Sequence, residues 1–159
     1  MTRILVAGVG NVLLGDDGFG VAVVRRLMER GGAAGAEVRD FGIRGQDLAL
    51  ALLDDWDAVV LVDAARRGRP PGTLSVLEPQ PGRAGPVAGH AMDPAAVLAS
   101  ARAMGGRVGR LRLVACEPAA VPGEEDDLVM GLSPDVAACV EPACAIVESL
   151  IGELEVEHA

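Results

Sequence analysis

The chain has 159 residues, enough for one domain with a sizeable core. Half of the residues are hydrophobic but only 2% are aromatic, which is typical of a globular α/β protein with an aliphatic core and not of a disordered chain. The net charge of −9 argues against a nucleic-acid partner, and the absence of lysine excludes a Walker-type phosphate loop, a Schiff-base lysine and a Ser-Lys dyad.

The hydrophobic pattern predicts strands that alternate with helices. In chain order the predicted elements are strand Arg3–Val9, helix Val21–Arg30, strand Glu37–Phe41, helix Gln46–Leu53, strand Ala58–Val62, strand Thr73–Leu77, helix Pro94–Ala103, strand Arg110–Ala115 and a helix from Pro134 to about Ile151. Such alternation predicts a three-layer α/β/α fold with a mostly parallel central sheet of about five strands. We expect a single domain over residues 1–152 and a short C-terminal tail over 153–159.

The helix ends and loops follow from local signals. Asp93 and Ser133 stand where N-caps are expected. Residues 80–89 and 117–131 are predicted loops, and the four consecutive acids at 124–127 favour a solvated loop over a cation site.

The remaining composition bears on compartment and assembly. Cys116, Cys139 and Cys144 form no C-x-x-C pair, and we interpret them as small buried hydrophobes. The N-terminus enters a strand without a signal peptide, and no apolar run reaches the roughly 18 residues of a membrane span. We therefore expect a cytoplasmic protein without membrane contact. We also expect a monomer, because no element shows an obvious exposed apolar stripe.

Polar side chains follow the predicted strands where the strands end. In open parallel sheets, ligands bind beyond these carboxyl ends. Asp16 and Asp17, with Asn11, follow the first strand, and Asp40 and Asp63 follow the second and third. His90 follows the fourth. If the first and third strands are neighbours, Asp17 and Asp63 flank the point where the strand order reverses, within reach of His90.

Two carboxylates and one imidazole suit a borderline divalent metal such as nickel or zinc. The alternative is structural: Asp63 caps a turn, and Asp16 and Asp17 favour the start of the next helix. His90 and His158 are the only histidines, so a multi-His zinc site and H-E-x-x-H are excluded. No serine lies in G-x-S-x-G, so a hydrolase of this sequence would need metal assistance.

A dinucleotide site is a further alternative, because Gly8 and Gly10 follow the first strand. The G-x-G-x-x-G pattern fails, since Leu13 stands at the third glycine. The acids that follow would also repel a pyrophosphate.

Several ordered motifs together closely resemble those of the hydrogenase maturation peptidases, over nearly the whole chain. They are Gly8-Val9-Gly10-Asn11 with Leu14-Gly15-Asp16-Asp17-Gly18 and Gly20, Asp40-Phe41-Gly42-Ile43-Arg44-Gly45, Val62-Asp63-Ala64, Gly89-His90-Ala91-Met92-Asp93-Pro94, Cys116-Glu117-Pro118 and Gly131-Leu132-Ser133-Pro134.

The resemblance implies an endopeptidase that removes the C-terminal extension of a [NiFe]-hydrogenase large-subunit precursor after nickel insertion. Its metal contacts and catalytic groups fall on Asp17, Asp63 and His90, with Asp16 and Asp40 as further catalytic candidates. The implied metal is the nickel of the substrate, or another divalent metal at the same site, and no organic cofactor is implied.

Two departures from the family pattern stand out. Asp17 replaces the Glu that the family often has, and Phe41 with Ile43-Arg44 interrupts the glycine-rich segment. A non-catalytic binding module on the same fold, such as a nickel or precursor chaperone, remains the alternative of a different class.

Overall fold

A computed structural model describes residues 2–79, 87–88, 94–119 and 130–158. The strands are β1 (Ile4–Val9), β2 (Glu37–Gly42), β3 (Ala58–Arg66), β4 (Leu74–Leu77), β5 (Val87–Ala88) and β6 (Arg110–Cys116). The helices are α1 (Phe19–Glu29), α2 (Gly45–Ala51), α3 (Pro94–Ala103), α4 (Pro134–Ala137) and α5 (Val140–His158), and a 3₁₀ turn (Gly15–Gly18) precedes α1. Among the described residues, no helix is long and apolar enough to cross a membrane.

The main strands form one twisted sheet in the order β2-β1-β3-β6-β4. β1, β2, β3 and β6 run parallel, while β4 is antiparallel to β6 and the short β5 is antiparallel to the end of β3. The expected α/β fold with a mostly parallel sheet is therefore confirmed. Because β2 and β3 flank β1 on opposite sides, the strand order reverses at β1, which is where ligand sites form in such sheets.

Each face of the sheet has its own aliphatic core. On one face α1 and α5 bury side chains such as Phe19 and Ile151, and on the other α2 and α3 bury side chains such as Leu48 and Leu98. Every residue of β1 is buried because both faces are covered. Full burial of each large apolar side chain contributes about 1.5–3 kcal/mol, so these faces hold the strand ends rigidly in place.

Several predicted boundaries were wrong. β3 continues to Arg66, so Asp63 lies inside the strand and not after it, and β2 likewise includes Asp40. The predicted loop 80–89 contains β5. The last helix is divided between α4 and α5. Residues 153–158 belong to α5 instead of forming a tail, because Leu154 continues the buried face of that helix.

The cysteine prediction is confirmed. Cys116, Cys139 and Cys144 are free thiols, and all three are buried. Burial, followed by the neighbouring Cys139, raises the pKa of Cys116 to about 12, so this thiol stays protonated at neutral pH.

Candidate active site at the carboxyl end of the sheet

Asp17 is carried by the 3₁₀ turn that follows β1, and it is 1% exposed. The backbone amide of Asn11 donates to its Oδ2 at 2.8 Å. The chain can fold back this tightly because Gly10 adopts a φ of 137°, where L side chains are rarely found. A Cβ at Gly10 would lie 1.9 Å from the carbonyl oxygen of Asp17, so only glycine fits between this turn and the strand end.

Asp63 lies across from this turn on the neighbouring strand, and it is 2% exposed. Its Oδ1 accepts a hydrogen bond from the amide of Ala64 at 2.8 Å. The position that a Cβ on Gly10 would take is 3.6 Å from this Oδ1 and in contact with Asp17. The structure thus brings Asp17 and Asp63 together beside Gly10, at the predicted switch point between β1 and β3.

The charge of Asp17 acts on the buried carboxyl group of Asp63. Burial, and then the charge of Asp17, raise the pKa of Asp63 well above its ordinary value, while the hydrogen bond from Ala64 acts in the opposite direction. Two buried acids this close favour either a shared proton or a bound cation. An oxygen-donor pair of this kind suits a divalent metal whose remaining positions are filled by other groups.

His90, the third predicted member of the site, lies outside the described residues. The structure describes the chain up to two residues before it. Ala88 pairs with Ala65, and Val87 with Arg66, in the antiparallel ladder between β5 and β3.

Asp16 is also buried, but its carboxylate contacts Ala119 and Ser133. Its Oδ2 accepts from the amide of Ala119 at 2.9 Å and from the hydroxyl of Ser133 at 2.8 Å, and its Oδ1 accepts from the amide of Ser133 at 2.7 Å. Ser133 occupies the N-cap position of α4, yet its side chain makes no cap hydrogen bond. The N-cap position predicted for Ser133 is therefore confirmed, but its hydroxyl contacts Asp16 and not the first turn of α4.

Asp40, the other predicted candidate, is held at the edge strand β2. Its Oδ1 accepts from the amide of Gly42 at 2.9 Å, and its Oδ2 forms an ion pair with Arg25 at 3.1 Å. Both carboxylate oxygens of Asp40 therefore contact neighbouring groups of β2 and α1.

Glu117 is a further buried acid at the carboxyl end of the sheet. It was not among the acids that we selected from the sequence because they follow a predicted strand. Its carboxylate accepts from the amides of Arg67, Gly68 and Arg69 at 2.7, 3.0 and 3.2 Å, and so fixes the connection from β3 to β4. Its position directly after β6 was the signal available in the sequence. The same end-of-strand rule that selected Asp17 and Asp63 applies to it.

The fold and the paired carboxylates define a class of α/β protein with an acidic site at the switch point of a parallel sheet. The nucleotide alternative fits poorly, since two buried acids stand between β1 and α1, where a pyrophosphate would need donors.

Comparison with known proteins specifies the family. The family model of HycI, hydrogenase maturation protease, matches residues 21–150. The hydrogenase 2 maturation protease of Escherichia coli strain K12 is 33% identical over 160 residues, which cover 98% of this chain and 94% of that protein. The HupD hydrogenase expression/formation protein of Rhodobacter capsulatus is 36% identical over 149 residues, 90% of this chain and 68% of its own length.

Solved structures agree. The hydrogenase maturating endopeptidase HybD of Escherichia coli matches with a TM-score of 0.78 and 29% identity, covering 96% of this chain and 93% of that one. The chain belongs to the hydrogenase maturation protease family, as the motifs indicated, and it is a peptide-bond hydrolase of that family.

Proposed function

We propose that this protein is the endopeptidase that removes the C-terminal extension of a [NiFe]-hydrogenase large-subunit precursor after nickel insertion, and that Asp17, Asp63 and His90 contact the substrate's nickel. The observation that carries the proposal is the buried pair of Asp17 and Asp63 at the switch point of a hydrogenase maturation protease.

Charge supports a cationic ligand at this pair. Two adjacent carboxylates that are 1% and 2% exposed repel each other in a poorly solvated site. A divalent cation would compensate both charges at once and would lower the raised pKa of Asp63. The nickel of a loaded precursor would supply that charge.

Sequence position supports a role for His90, which follows Ala88 by two residues in the chain. Ala88 itself pairs with Ala65, two residues after Asp63. The imidazole would add a nitrogen donor to the two carboxylates, a set that suits nickel and leaves positions for the precursor's own ligands.

Docking on the nickel centre would do most of the catalytic positioning. Contact of the precursor's nickel with the acid pair would place the scissile peptide beside the same groups. One of the two carboxylates or His90 would then accept the proton of the attacking water. Nickel would act here as a part of the substrate that is recognised.

The test is incubation of the protein with nickel-loaded and nickel-free precursor, followed by intact mass measurement of the large subunit. We expect a short C-terminal peptide to be lost only from the loaded form. Asp17→Asn and Asp63→Asn should slow this loss at least about 100-fold, because each removes one charge of the pair. Equal cleavage of both forms would refute nickel recognition, and a stable complex without cleavage would favour the chaperone alternative.

Glu117→Gln provides the matched control. It also removes one negative charge from a buried carboxylate at this edge of the sheet, but both Glu117 oxygens already accept backbone amides. Folded Glu117→Gln protein should cleave the loaded precursor near the wild-type rate. If it loses as much activity as Asp17→Asn, general loss of negative charge would explain both effects, and direct contact by Asp17 would be refuted.

A further inference from the structure

The carboxylate of Asp16 joins three segments that meet at the carboxyl end of the sheet. Asp16 lies in the 3₁₀ turn after β1, Ala119 follows β6, and Ser133 directly precedes α4. Three hydrogen bonds of 2.7–2.9 Å, two to Ser133 and one to Ala119, occupy both of its oxygens. This acid is 3% exposed, so the contacts are shielded from water.

Ser133 gives up a local interaction to make this link. A serine before Pro134, in N-cap geometry with φ −62° and ψ 158°, would normally accept a hydrogen bond from the first turn of its helix. Its hydroxyl instead donates to Asp16. Departures from local preference of this kind concentrate at functional sites, because there a tertiary contact has been favoured over a local one.

Asp16 and Asp17 are consecutive residues of one turn, and this places their side chains under a common constraint. Successive residues of a 3₁₀ helix project about 120° apart. Asp16 is held by Ala119 and Ser133, while the Oδ2 of Asp17 accepts a hydrogen bond from the amide of Asn11 and its backbone carbonyl packs against Gly10, beside Asp63. The rotation of the turn therefore sets the directions of both carboxylates together.

We infer that Asp16 is a positioning residue for the cleavage reaction, which anchors the turn so that Asp17 is held against Asp63. The inference rests on the proposed function, since it assigns to Asp17 a contact with the substrate. A rotation of the turn by about 15° would move a carboxylate about 4 Å from its axis by roughly 1 Å, beyond the tolerance of a preorganised site. Displacements of about 1 Å cost about 100-fold in rate.

The primary test is Asp16→Asn, with kcat and KM measured on nickel-loaded precursor. Asparagine has one acceptor oxygen, whereas Asp16 accepts three donors through two oxygens. We expect kcat to fall about 10- to 100-fold while KM stays within about threefold, because the docking groups remain but their alignment is lost.

A stability-matched control separates alignment from general loss of structure. Leu154→Ala truncates a buried side chain of α5 three residues before Glu157, and the ion pair of Glu157 with Arg110 lies at the amino end of β6, opposite to the carboxyl end that carries Asp16. Assays run at a temperature where both variants are folded by circular dichroism should give a wild-type kcat for Leu154→Ala.

Ser133→Ala supplies a second, milder perturbation in case Asp16→Asn does not fold. It removes the hydroxyl donor and leaves the two backbone donors in place. We expect a fall in kcat of about two- to fivefold at unchanged KM. In the Asp16→Asn/Ser133→Ala double variant the effects on kcat should be less than multiplicative, because both changes break the same link.

Two results would overturn the inference while leaving the proposed function intact, provided that wild-type protein cleaves the loaded precursor. In one, kcat of Asp16→Asn, or of Ser133→Ala if the former is unfolded, falls no more than that of Leu154→Ala. In the other, KM rises and kcat does not change, which would make Asp16 a docking group. Failure of the wild-type protein itself to cleave loaded precursor would instead refute the proposed function.

Discussion

Gly20 sets the distance between α1 and the two strands that lead into the site, which makes it a sensitive place to test the structure. A Cβ at this residue would lie 1.9 Å from the carbonyl oxygen of Val62 and 2.4 Å from that of Val9. Both contacts are with backbone, so no side-chain rotation relieves them. Gly20→Ala therefore requires α1 to move by about 1 Å away from Val9 and Val62, which immediately precede Gly10 and Asp63.

The magnitude follows from two opposing effects. Overpacking against backbone costs about 3 kcal/mol at the upper end of its usual range, and the higher helix propensity of alanine offsets about 1 kcal/mol. The net loss of about 2 kcal/mol should lower Tm by about 4–8 °C in a chain of this size. A displacement of about 1 Å at the strand ends should also reduce the rate of precursor cleavage by about 100-fold.

Gly152→Ala is the matched control, since the same chemical change is made inside α5. A Cβ at Gly152 meets no atom within 4 Å. This variant should gain about 0.5–1 kcal/mol from reduced backbone entropy in the unfolded chain, raise Tm slightly and leave cleavage unchanged. The measurements are the Tm of each variant and the rate at which it cleaves the precursor. A Gly20→Ala protein as stable and active as Gly152→Ala would refute the close packing of α1 on β1 and β3.

Three further predictions concern buried polar groups. Asp63→Asn keeps an acceptor for Ala64 but removes a buried charge whose folded-state pKa is raised. In metal-free protein the contribution of Asp63 is fully present below the unfolded pKa and is lost as pH rises through the folded pKa, so the variant should be the more stable protein at pH 7 but not below about pH 4. Urea midpoints at both pH values check this, and equal midpoints at pH 7 would contradict it. Cys116, with its pKa raised to about 12, should resist iodoacetamide at pH 8 in native protein and react after unfolding, as read by intact mass. Glu117→Gln should lose about 2 kcal/mol, lowering Tm by about 4–8 °C, because its side-chain amide cannot accept three backbone donors; the exposed variant Asp47→Asn should leave Tm unchanged.

The sheet and its acid pair were predictable because they depend on strong, regular signals. β1 and β3 are continuous aliphatic runs, which predicts strands covered on both faces and hence a parallel sheet. Once the strands are parallel, polar residues near their carboxyl ends must converge on one edge. Asp17 and Asp63 were found by that argument, even though Asp63 lies inside β3 and not after it.

The structural links around the pair were not predictable, because they join residues far apart in sequence. Asp16 and Ser133 are 117 positions apart, and each has a satisfactory local interpretation, as a helix-start acid and as an N-cap. Only the tertiary packing shows that they bind one another. The extension of α5 was hidden for a related reason: acids surround Leu154 and make 153–158 look like a solvated tail, although a single buried leucine is enough to continue the helix on the core.

The buried acids of this site differ in how their charges are compensated. Asp16 and Glu117 each accept three hydrogen bonds from the protein, and the fold itself therefore stabilises them. The raised pKa of Asp63 shows that its charge is not compensated in the same way. Burial of an ionised acid lowers the stability of the folded protein, and a bound cation would offset this loss by supplying positive charge. On the proposed function that cation is the nickel of the loaded precursor, so binding of a loaded substrate would relieve a repulsion that an unloaded one leaves in place. Discrimination between the two forms would then come from the protease's own buried charge, without a separate recognition element.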